Sequence, residues 1–453
     1  MNFDYKHFYN NIVRILCDSV HVDWAFPYNK SNVQSSIGSG FFISDRYILT
    51  CSHVVEDATF IHIEIPTFGK KKYPCKVKGI CPYFDIALIE VEDYRSPTHC
   101  QLEKDTSQIQ SGDSAIALGY PLGQSNLKIT NGIISGQQDN CFQIDTPINP
   151  GNSGGPLIRD NKVIGINSAG VLFSQNIGYS VPIDRYYSVK HLLLQSNHTI
   201  VHFPETFGFQ YQCMNQHYND YFGASCQSNQ GVLITKIIEG SLISTTQLSK
   251  GDILCKINDH SIDQYGELNV KWMNQKMNFV NLLATIHLDT NVKIEYWSHS
   301  QKKTETFTFT THRFPIRTLY PLFEPIYFAI YAGLIIQPMN LNISNMLTTI
   351  TKSSDLKMLN YQYIDHRNKE KIIISNILNG SMISQLNVFT RGECIRSING
   401  HAISSMKDVY HAIRVPPTKP YVEIINEDGL IAILMYEDIV KEHSQLSSRY
   451  RFR

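Results

Sequence analysis

One block of sequence occurs twice in the second half of this chain, and that repeat limits how the rest can be divided. Gly240-Ser241-Leu242-Ile243-Ser244 recurs as Gly380-Ser381-Met382-Ile383-Ser384. Shortly after, Lys250-Gly251-Asp252-Ile253-Leu254-Cys255-Lys256-Ile257-Asn258 is answered by Arg391-Gly392-Glu393-Cys394-Ile395-Arg396-Ser397-Ile398-Asn399. Each copy follows an apolar run (Val232 to Ile238, Ile372 to Leu378). Each precedes an amphipathic helix candidate (Asn278 to His287, Ser405 to Arg414) and a closing strand (Val292 to Trp297, Tyr421 to Ile425). A block of this length is a supersecondary unit used twice, so two α+β modules are expected, over residues 200–312 and 318–440. The aromatic stretch Tyr320 to Met339 carries Glu324 and three prolines, Pro321, Pro325 and Pro338. It reads as the first strands of the second module and not as a membrane span. Residues 441–453 read as a basic, solvated tail.

The first part, residues 10–195, is different in kind. Short apolar runs such as Ser36 to Ile43, Ile61 to Ile65, Ile86 to Val91, Ser114 to Leu118, Lys162 to Asn167 and Gly178 to Val181 are separated by Gly, Pro, Asn and Asp clusters. This spacing predicts an all-β sandwich or barrel. Helical periodicity is confined to Phe8–Leu16 and Tyr186–Leu194.

Charge excludes some function classes. The 40 Lys and Arg balance the 40 Asp and Glu, which leaves no electrostatic case for nucleic acid as a partner. There is no apolar stretch of about 20 residues that would span a membrane, and the start of the chain carries charges where a secretory signal would be apolar. The ten cysteines form no C-x-x-C pair, as expected of reduced thiols in a soluble, intracellular and most simply cytoplasmic protein. Asn197-His198-Thr199 is then a chance sequon. Neither a cofactor nor a metal is expected.

Three motifs carry chemistry, in chain order: Leu49-Thr50-Cys51-Ser52-His53-Val54-Val55, Asp85-Ile86-Ala87-Leu88, and Asn149-Pro150-Gly151-Asn152-Ser153-Gly154-Gly155-Pro156-Leu157. A serine hydroxyl needs a base before it attacks a carbonyl, neutral imidazole suits that role near pH 7, and a carboxylate fixes the imidazole tautomer. His53, Asp85 and Ser153 therefore read as a catalytic triad. The backbone of Gly151 and Ser153, with Asn152 as a third candidate, reads as the oxyanion hole. Gly151-x-Ser153-x-Gly155 also fits the nucleophile elbow of α/β-hydrolases, but strand chemistry, not a helix, follows Ser153 and the histidine comes first.

The chain resembles the Deg/HtrA proteases, most of all the plant-type members with two PDZ domains. The resemblance rests on Gly38-Ser39-Gly40-Phe41-Phe42-Ile43, on the three motifs above, and on Gly119 to Gly123, Gln143 to Asn149 and Asn176 to Pro182, with Tyr331-Ala332-Gly333-Leu334 in the second module. Ser52 and Pro150 depart from the commonest family residues. The resemblance implies a mostly β chain: a chymotrypsin-like double β-barrel followed by two α+β PDZ domains. It implies ATP-independent endoproteolysis of unfolded or damaged polypeptides, and homo-oligomers built on trimers. A long regulatory loop between the first barrel strands looks missing, judged from the short stretch around Phe68 to Tyr73. Phe3, Tyr5, Phe8 and Tyr9 are candidates for a trimer contact or for a helix face on the barrel.

By the same resemblance, the specificity pocket is expected from Pro147 and Ile148 at its base and from Asn167, Ser168, Ala169, Ile177 and Tyr179 as walls. With no carboxylate at the base, cleavage after medium apolar residues is expected. Phe207-Gly208-Phe209 and Ala332-Gly333-Leu334 are candidate carboxylate loops for protein C-termini. The first is expected to capture them, and the second groove could hold a segment of the same chain or of a neighbour. The competing reading is a non-proteolytic chaperone or PDZ scaffold on the same fold.

Overall fold

The computed structural model describes residues 5–29, 31–170, 177–195, 198–215, 217–218, 221, 230–273, 275–350 and 357–452. Phe3, Asn176, Asn197 and Arg453, named above, lie outside the described residues, as do the side chains of Tyr5 and Ala169. The chain divides into two compact units, residues 1–19 with 33–313 and residues 20–32 with 314–453.

In the first unit, six strands close an antiparallel barrel: β1 (Ile12–Ser19), β2 (Gln34–Phe42), β3 (Tyr47–Thr50), β4 (Ala58–Glu64), β5 (Lys72–Cys81) and β6 (Ile86–Val91). β1 lies between β2 and β4, β2 runs on to β3 and β6, and β6 returns to β5. A second closed barrel is built from β7 (Ser114–Gly119), β8 (Lys128–Gln138), β9 (Cys141–Ile144), β10 (Pro156–Arg159), β11 (Lys162–Gly170) and β12 (Gly178–Pro182), with β7 meeting β10. Closure leaves no sheet edge exposed. Helix α1 (Tyr5–Tyr9) stops well short of Leu16, where sequence periodicity suggested one helix. Phe8 and Ile12 mimic a helical face, but Val13, Ile15 and Cys17 are buried while Arg14, Leu16 and Asp18 are less so. That period of two, in a β-branched run, wins as strand β1. Phe8 is wholly buried in the core and so is not a surface contact, whereas Tyr9 is 41% exposed.

The barrels do not end the first unit. After α2 (Ser52–Val55) and α3 (Asp184–Gln195), a short strand β13 (Thr199–Ile200) returns to pair in parallel with Gly79 and Ile80 of β5. Phe203 follows, 2% exposed. Its ring lies 4.8 Å from Tyr83, 4.5 Å from Phe84 and 5.4 Å from Phe309, centroid to centroid. Tyr83 and Phe84 belong to the turn that leads into Asp85, and Phe309 ends the last strand of the next module. Within that module β14 (Phe209–Gln212), β15 (Val232–Ile237), β16 (Ile253–Ile257), Thr290–Ser298 and Gln301–Phe309 lie side by side, with β14 at the edge. The predicted amphipathic α-helix here is a 3₁₀ helix, Phe279–Thr285, capped by Asn278. Three residues per turn place Phe279 and Leu282 on one face, and both are buried.

In the second unit, Ala329–Tyr331, Leu334–Pro338 and Ile372–Ile377 form one sheet, and Ile395–Ile398, Tyr421–Asn426 and Ile431–Met435 belong to another. Helix Met406–Arg414 begins with a reciprocal Ser405–Asp408 cap. The end of the chain is not a solvated tail. Helix Tyr436–Tyr450 runs through it, and Leu446 and Phe452 are each 4% exposed; charge count misled because its apolar residues sit at helical spacing.

Residues 20–32 join β1 to β2, yet they pack within the second unit. The buried amides of Gln337 and Asn376 donate to the carbonyls of Trp24 (2.9 Å) and Ala25 (3.1 Å). Phe26 stacks on Tyr450 at 6.1 Å, and Tyr28 lies 5.7 Å from Phe452. The connection between the first barrel strands is therefore this segment. The stretch around Phe68, read from sequence as that connection, lies instead in the turn between β4 and β5.

The ring stack predicts that Phe203→Ala destabilises the first unit by about 3–5 kcal/mol, as for a large aromatic removed from a core. Urea unfolding followed by far-ultraviolet circular dichroism measures this, and a loss under about 1 kcal/mol would mean the stack carries little.

Candidate active site

Three separate devices bring the predicted triad together. β3 ends at Thr50, and one turn of helix, α2, presents His53. β5 ends in the turn Pro82–Phe84, which throws Asp85 into left-handed backbone geometry at φ 55°. A non-glycine residue pays for that conformation only where its surroundings hold it. Here Asp85 Oδ1 accepts the His53 backbone N–H at 3.0 Å, and His53 Nδ1 lies 2.9 Å from Asp85 Oδ2. Ser168 Oγ donates to Asp85 Oδ2 at 2.5 Å. Ser153 sits in the loop between β9 and β10, and its Oγ donates to the Ser168 carbonyl at 2.7 Å. A hydroxyl has one proton, so this proton must leave Ser168 before His53 can take it.

Electrostatics match the geometry. Burial alone would raise the Asp85 pKa, but the hydrogen bonds and charge of His53, with Ser168, outweigh it and hold the carboxyl below its usual range. Burial pulls His53 down, and the Asp85 hydrogen bond and charge, with the charge of Glu56, more than offset it, so the imidazole sits above its ordinary value.

The nucleophile loop is gripped from the first barrel. Ser39, wholly buried on β2, donates its N–H to Ser153 O at 2.8 Å and its Oγ to Gly151 O at 2.6 Å. Thr50 Oγ1 in turn donates to Ser39 O at 2.8 Å. Pro150 O accepts from Leu122 N–H at 2.6 Å, and Asn152 O accepts from Gly155 N–H at 3.0 Å. Because each peptide is planar and trans, tying these two oxygens turns the N–H groups of Gly151 and Ser153 the opposite way, as a pair of donors. The N–H of Asn152 is committed to Asn149 O at 2.9 Å, so Asn152 is corrected from the oxyanion set. Glycine is required in this loop. Gly151 has φ +101°, and a Cβ there would lie 2.3 Å from Tyr120 O; at Gly154, φ +87°, it would lie 2.1 Å from Ser39 O.

The pocket residues divide. Ile148 is nearly buried, and a Cβ on Gly178 would lie 2.6 Å from its side chain, so Ile148 packs directly against the β12 backbone. Ile177 and Tyr179 flank that glycine, half-buried. Pro147 is exposed, with its carbonyl 3.4 Å from Asn152 Nδ2, and the backbone of Ala169 pairs with Tyr179. Asn167 does not form a wall: it is wholly buried and donates to Pro156 O at 3.1 Å. Ser168, expected as a wall, instead joins Asp85 to Ser153. Its type gave no warning, because a serine in a strand is ordinary without its partners.

The two carboxylate-loop candidates also part company. Gly208 has φ +99°, its N–H is held by Thr206 Oγ1 at 3.1 Å, and β14 beyond it is an edge strand. In the second module, Ala332 (φ 50°) and Gly333 (φ 79°) form the tight turn of a hairpin. Ala329–Tyr331 pairs with Leu334–Pro338 on one side, and Ile372–Ile377 on the other. With both edges of that strand taken, Ala332, Gly333 and Leu334 are corrected from the set of ligand-binding loops.

Residues 38–166 match the family model of the trypsin-like peptidase domain, and residues 323–453 match that of the PDZ domain. The homologues of this chain are Deg/HtrA proteases. A probable periplasmic DegP-like serine endoprotease of Marinomonas sp. is 33% identical over 52% of this chain, and the match takes in 51% of that relative. This chain thus spans about half the length of most of the curated Deg/HtrA relatives it matches. The putative protease Do-like 13 of Arabidopsis thaliana is 24% identical over 98% of this chain and 87% of its own length. Among solved structures, the HtrA-type protease AlgW with decapeptide shares the fold at a TM-score of 0.52 and 19% identity, covering 68% of this chain and 97% of that one.

Two outcomes follow from this geometry. Because Asp85 raises His53, the acid limb of the pH profile for casein cleavage should lie above the ordinary imidazole value of about 6.5, with activity lost as pH falls through it and His53 takes a proton. Asp85→Asn should move that limb downward and cut kcat by about 10⁴-fold; an unmoved limb would mean Asp85 does not govern His53. Ser39→Ala removes a buried hydroxyl from Gly151 O and should cost about 1–3 kcal/mol of stability, together with a drop in kcat at little change in KM. Thermal unfolding and casein kinetics on the same preparation measure both.

Proposed function

We propose that this chain is an ATP-independent serine endopeptidase that cleaves unfolded polypeptides, preferably after medium apolar residues, through an acyl-enzyme. The observation that carries the reading is the continuous chain of contacts from His53 through Asp85 and Ser168 to Ser153, beside two backbone donors. Ser153 leaves Ser168 O and gives its proton to His53 Nε2 as Oγ attacks the scissile carbonyl. The oxyanion forms facing the N–H groups of Gly151 and Ser153, where each donor is worth about 3–4 kcal/mol. Asp85 holds the imidazolium. His53 passes the proton to the leaving amine, the acyl-enzyme remains, and water releases it by the same steps.

The apolar preference is supported by Ile148, Ile177 and Tyr179 around Gly178, and by the use of Asp145, the carboxylate that precedes Pro147 and Ile148 in sequence, to accept the Ile133 N–H at 2.7 Å. Capture of substrate C-termini falls to the first module, whose β14 edge can accept an added strand. The second module's equivalent strand is already paired on both sides. Homo-oligomers built on trimers are part of the proposal, by likeness to the Deg/HtrA relatives.

Fluorescent casein with the purified protein and its Ser153→Ala variant tests the reading. Cleavage should fall by at least about 10⁴-fold in the variant; no cleavage by either would favour the chaperone or scaffold alternative. Fluorescence anisotropy with C-terminal peptides tests the first module. Amidating the terminal carboxylate should weaken binding by roughly tenfold or more, on the order of a lost charge-assisted hydrogen bond, and equal affinity would remove the carboxylate loop from the proposal.

A further inference from the structure

Beneath the triad lies a thiol that the peptidase chemistry does not use. Cys51 stands between β3 and α2, wholly buried, with Sγ 3.2 Å from the Asn167 carbonyl to which it donates. Its Sγ, a ring nitrogen of His53 and a carboxylate oxygen of Asp85 all lie within 4.8 Å of one another. We propose that Cys51, His53 and Asp85 form an inhibitory site for Zn²⁺ or a similar borderline-soft divalent cation, seated where the Nδ1–H of His53 now meets Asp85.

The donor set is the first argument. One thiolate, one imidazole and one carboxylate are all zinc ligands, and three protein donors with an open fourth position is a stable arrangement. Distance is the second. With metal–ligand bonds of about 2.0–2.3 Å in a tetrahedron, neighbouring donors sit roughly 3.3–3.7 Å apart. His53 Nδ1 and Asp85 Oδ2, at 2.9 Å, need to open by only about half an ångström, and Cys51 to close by about an ångström, to meet those bond lengths. Access is the third: His53 keeps 46% of its side chain exposed and Asp85 24%, so a cation can enter past the imidazole edge. Ser168 Oγ, already on Asp85 Oδ2 at 2.5 Å, or a water fills the fourth position.

The consequence follows from proton bookkeeping. Binding releases the thiol proton to solvent and shifts the imidazole proton from Nδ1 to Nε2, and nothing is oxidised or reduced. A neutral imidazole with a cation on Nδ1 carries its remaining proton on Nε2, the nitrogen that must accept the proton of Ser153. The cation therefore fixes the wrong tautomer and takes away the carboxylate that orients the ring. In its absence, burial and the neighbouring Asp85 charge keep the thiol protonated, so Cys51 does not compete as a nucleophile. The inhibitory effect rests on the peptidase reading; the binding does not.

The test uses the full chain, with Cys51→Ser and Ser153→Ala variants checked for native circular dichroism. Zn²⁺ should inhibit casein cleavage reversibly, with recovery on adding EDTA, and Cys51→Ser should raise the half-inhibitory concentration at least tenfold. Independently, Co²⁺ added to the Ser153→Ala protein should give a thiolate-to-cobalt charge-transfer band that Zn²⁺ displaces and that is absent when Cys51→Ser is added. Should Cys51→Ser fail to fold, His53→Ala replaces it in the Co²⁺ titration and should weaken binding at least tenfold. Unchanged Zn²⁺ sensitivity in Cys51→Ser, a Co²⁺ band that survives it, or no thiolate band in the parent protein overturns the site. If the parent protein cleaves no casein, the peptidase reading fails, and the Co²⁺ band alone still decides the site.

Discussion

The buried hydroxyl and N–H of Ser39 join the two barrels at the one place where the chemistry needs both. His53 and Asp85 come from the first barrel, Ser153 and the backbone donors from the second. Ser39 holds the second barrel's loop by two of its carbonyl oxygens, on Gly151 and Ser153. In the loop so held, Pro150 O and Asn152 O are tied to the N–H groups of Leu122 and Gly155, and since a peptide's N–H points away from its C=O, these ties aim the Gly151 and Ser153 donors. The left-handed Gly154 and the close approach of Thr50 let strand β2 come near enough for this grip, and Gly151 does the same for the backbone of Tyr120.

What the sequence made legible was what chemistry restricts to few residue types. A base, a carboxylate and a glycine-flanked serine, in that order on short strands, admit few other readings, and the duplicated block admits only two similar modules. What stayed hidden depended on partners far away in the chain. Ser168 is an unremarkable strand serine until Asp85 stands above it. Asn167 and Ser168 are neighbours in sequence, yet β11 is irregular between Asn167 and Ala169, and there one side chain goes into the core while the other reaches the triad. The first strand looked helical because Phe8, Ile12 and Leu16 coincide with a helical stripe, and only pairing on both sides by β2 and β4 reveals the period of two. Residues 20–32 gave no sign of packing on the second unit, because the buried amides that hold them, Gln337 and Asn376, follow hundreds of residues later.

The duplicated modules have diverged at one sheet edge. Both keep a left-handed glycine packed against a serine, Gly208 on Ser241 and Gly333 on Ser381. In one copy that glycine opens onto an edge strand. In the other, a three-residue strand of the same chain fills the edge, and the glycine has become half of a hairpin turn. One duplication thus leaves one copy with an open sheet edge and one whose edge its own chain fills, and the difference lies in a few residues upstream of the shared glycine.

The ring stack through Phe203 sets an order of events. Asp85 is second of the three triad residues along the chain, but the turn that holds its left-handed backbone leans on Phe203, which leans on Phe309. Domains tend to form as the chain leaves the ribosome, first part first. Both barrels are complete in sequence more than a hundred residues before the last ring of the stack has been made. A nascent chain would therefore hold Ser153 and His53 well before the turn beneath Asp85 is fully packed, so the triad gains its last support only once the module that follows the barrels has been made.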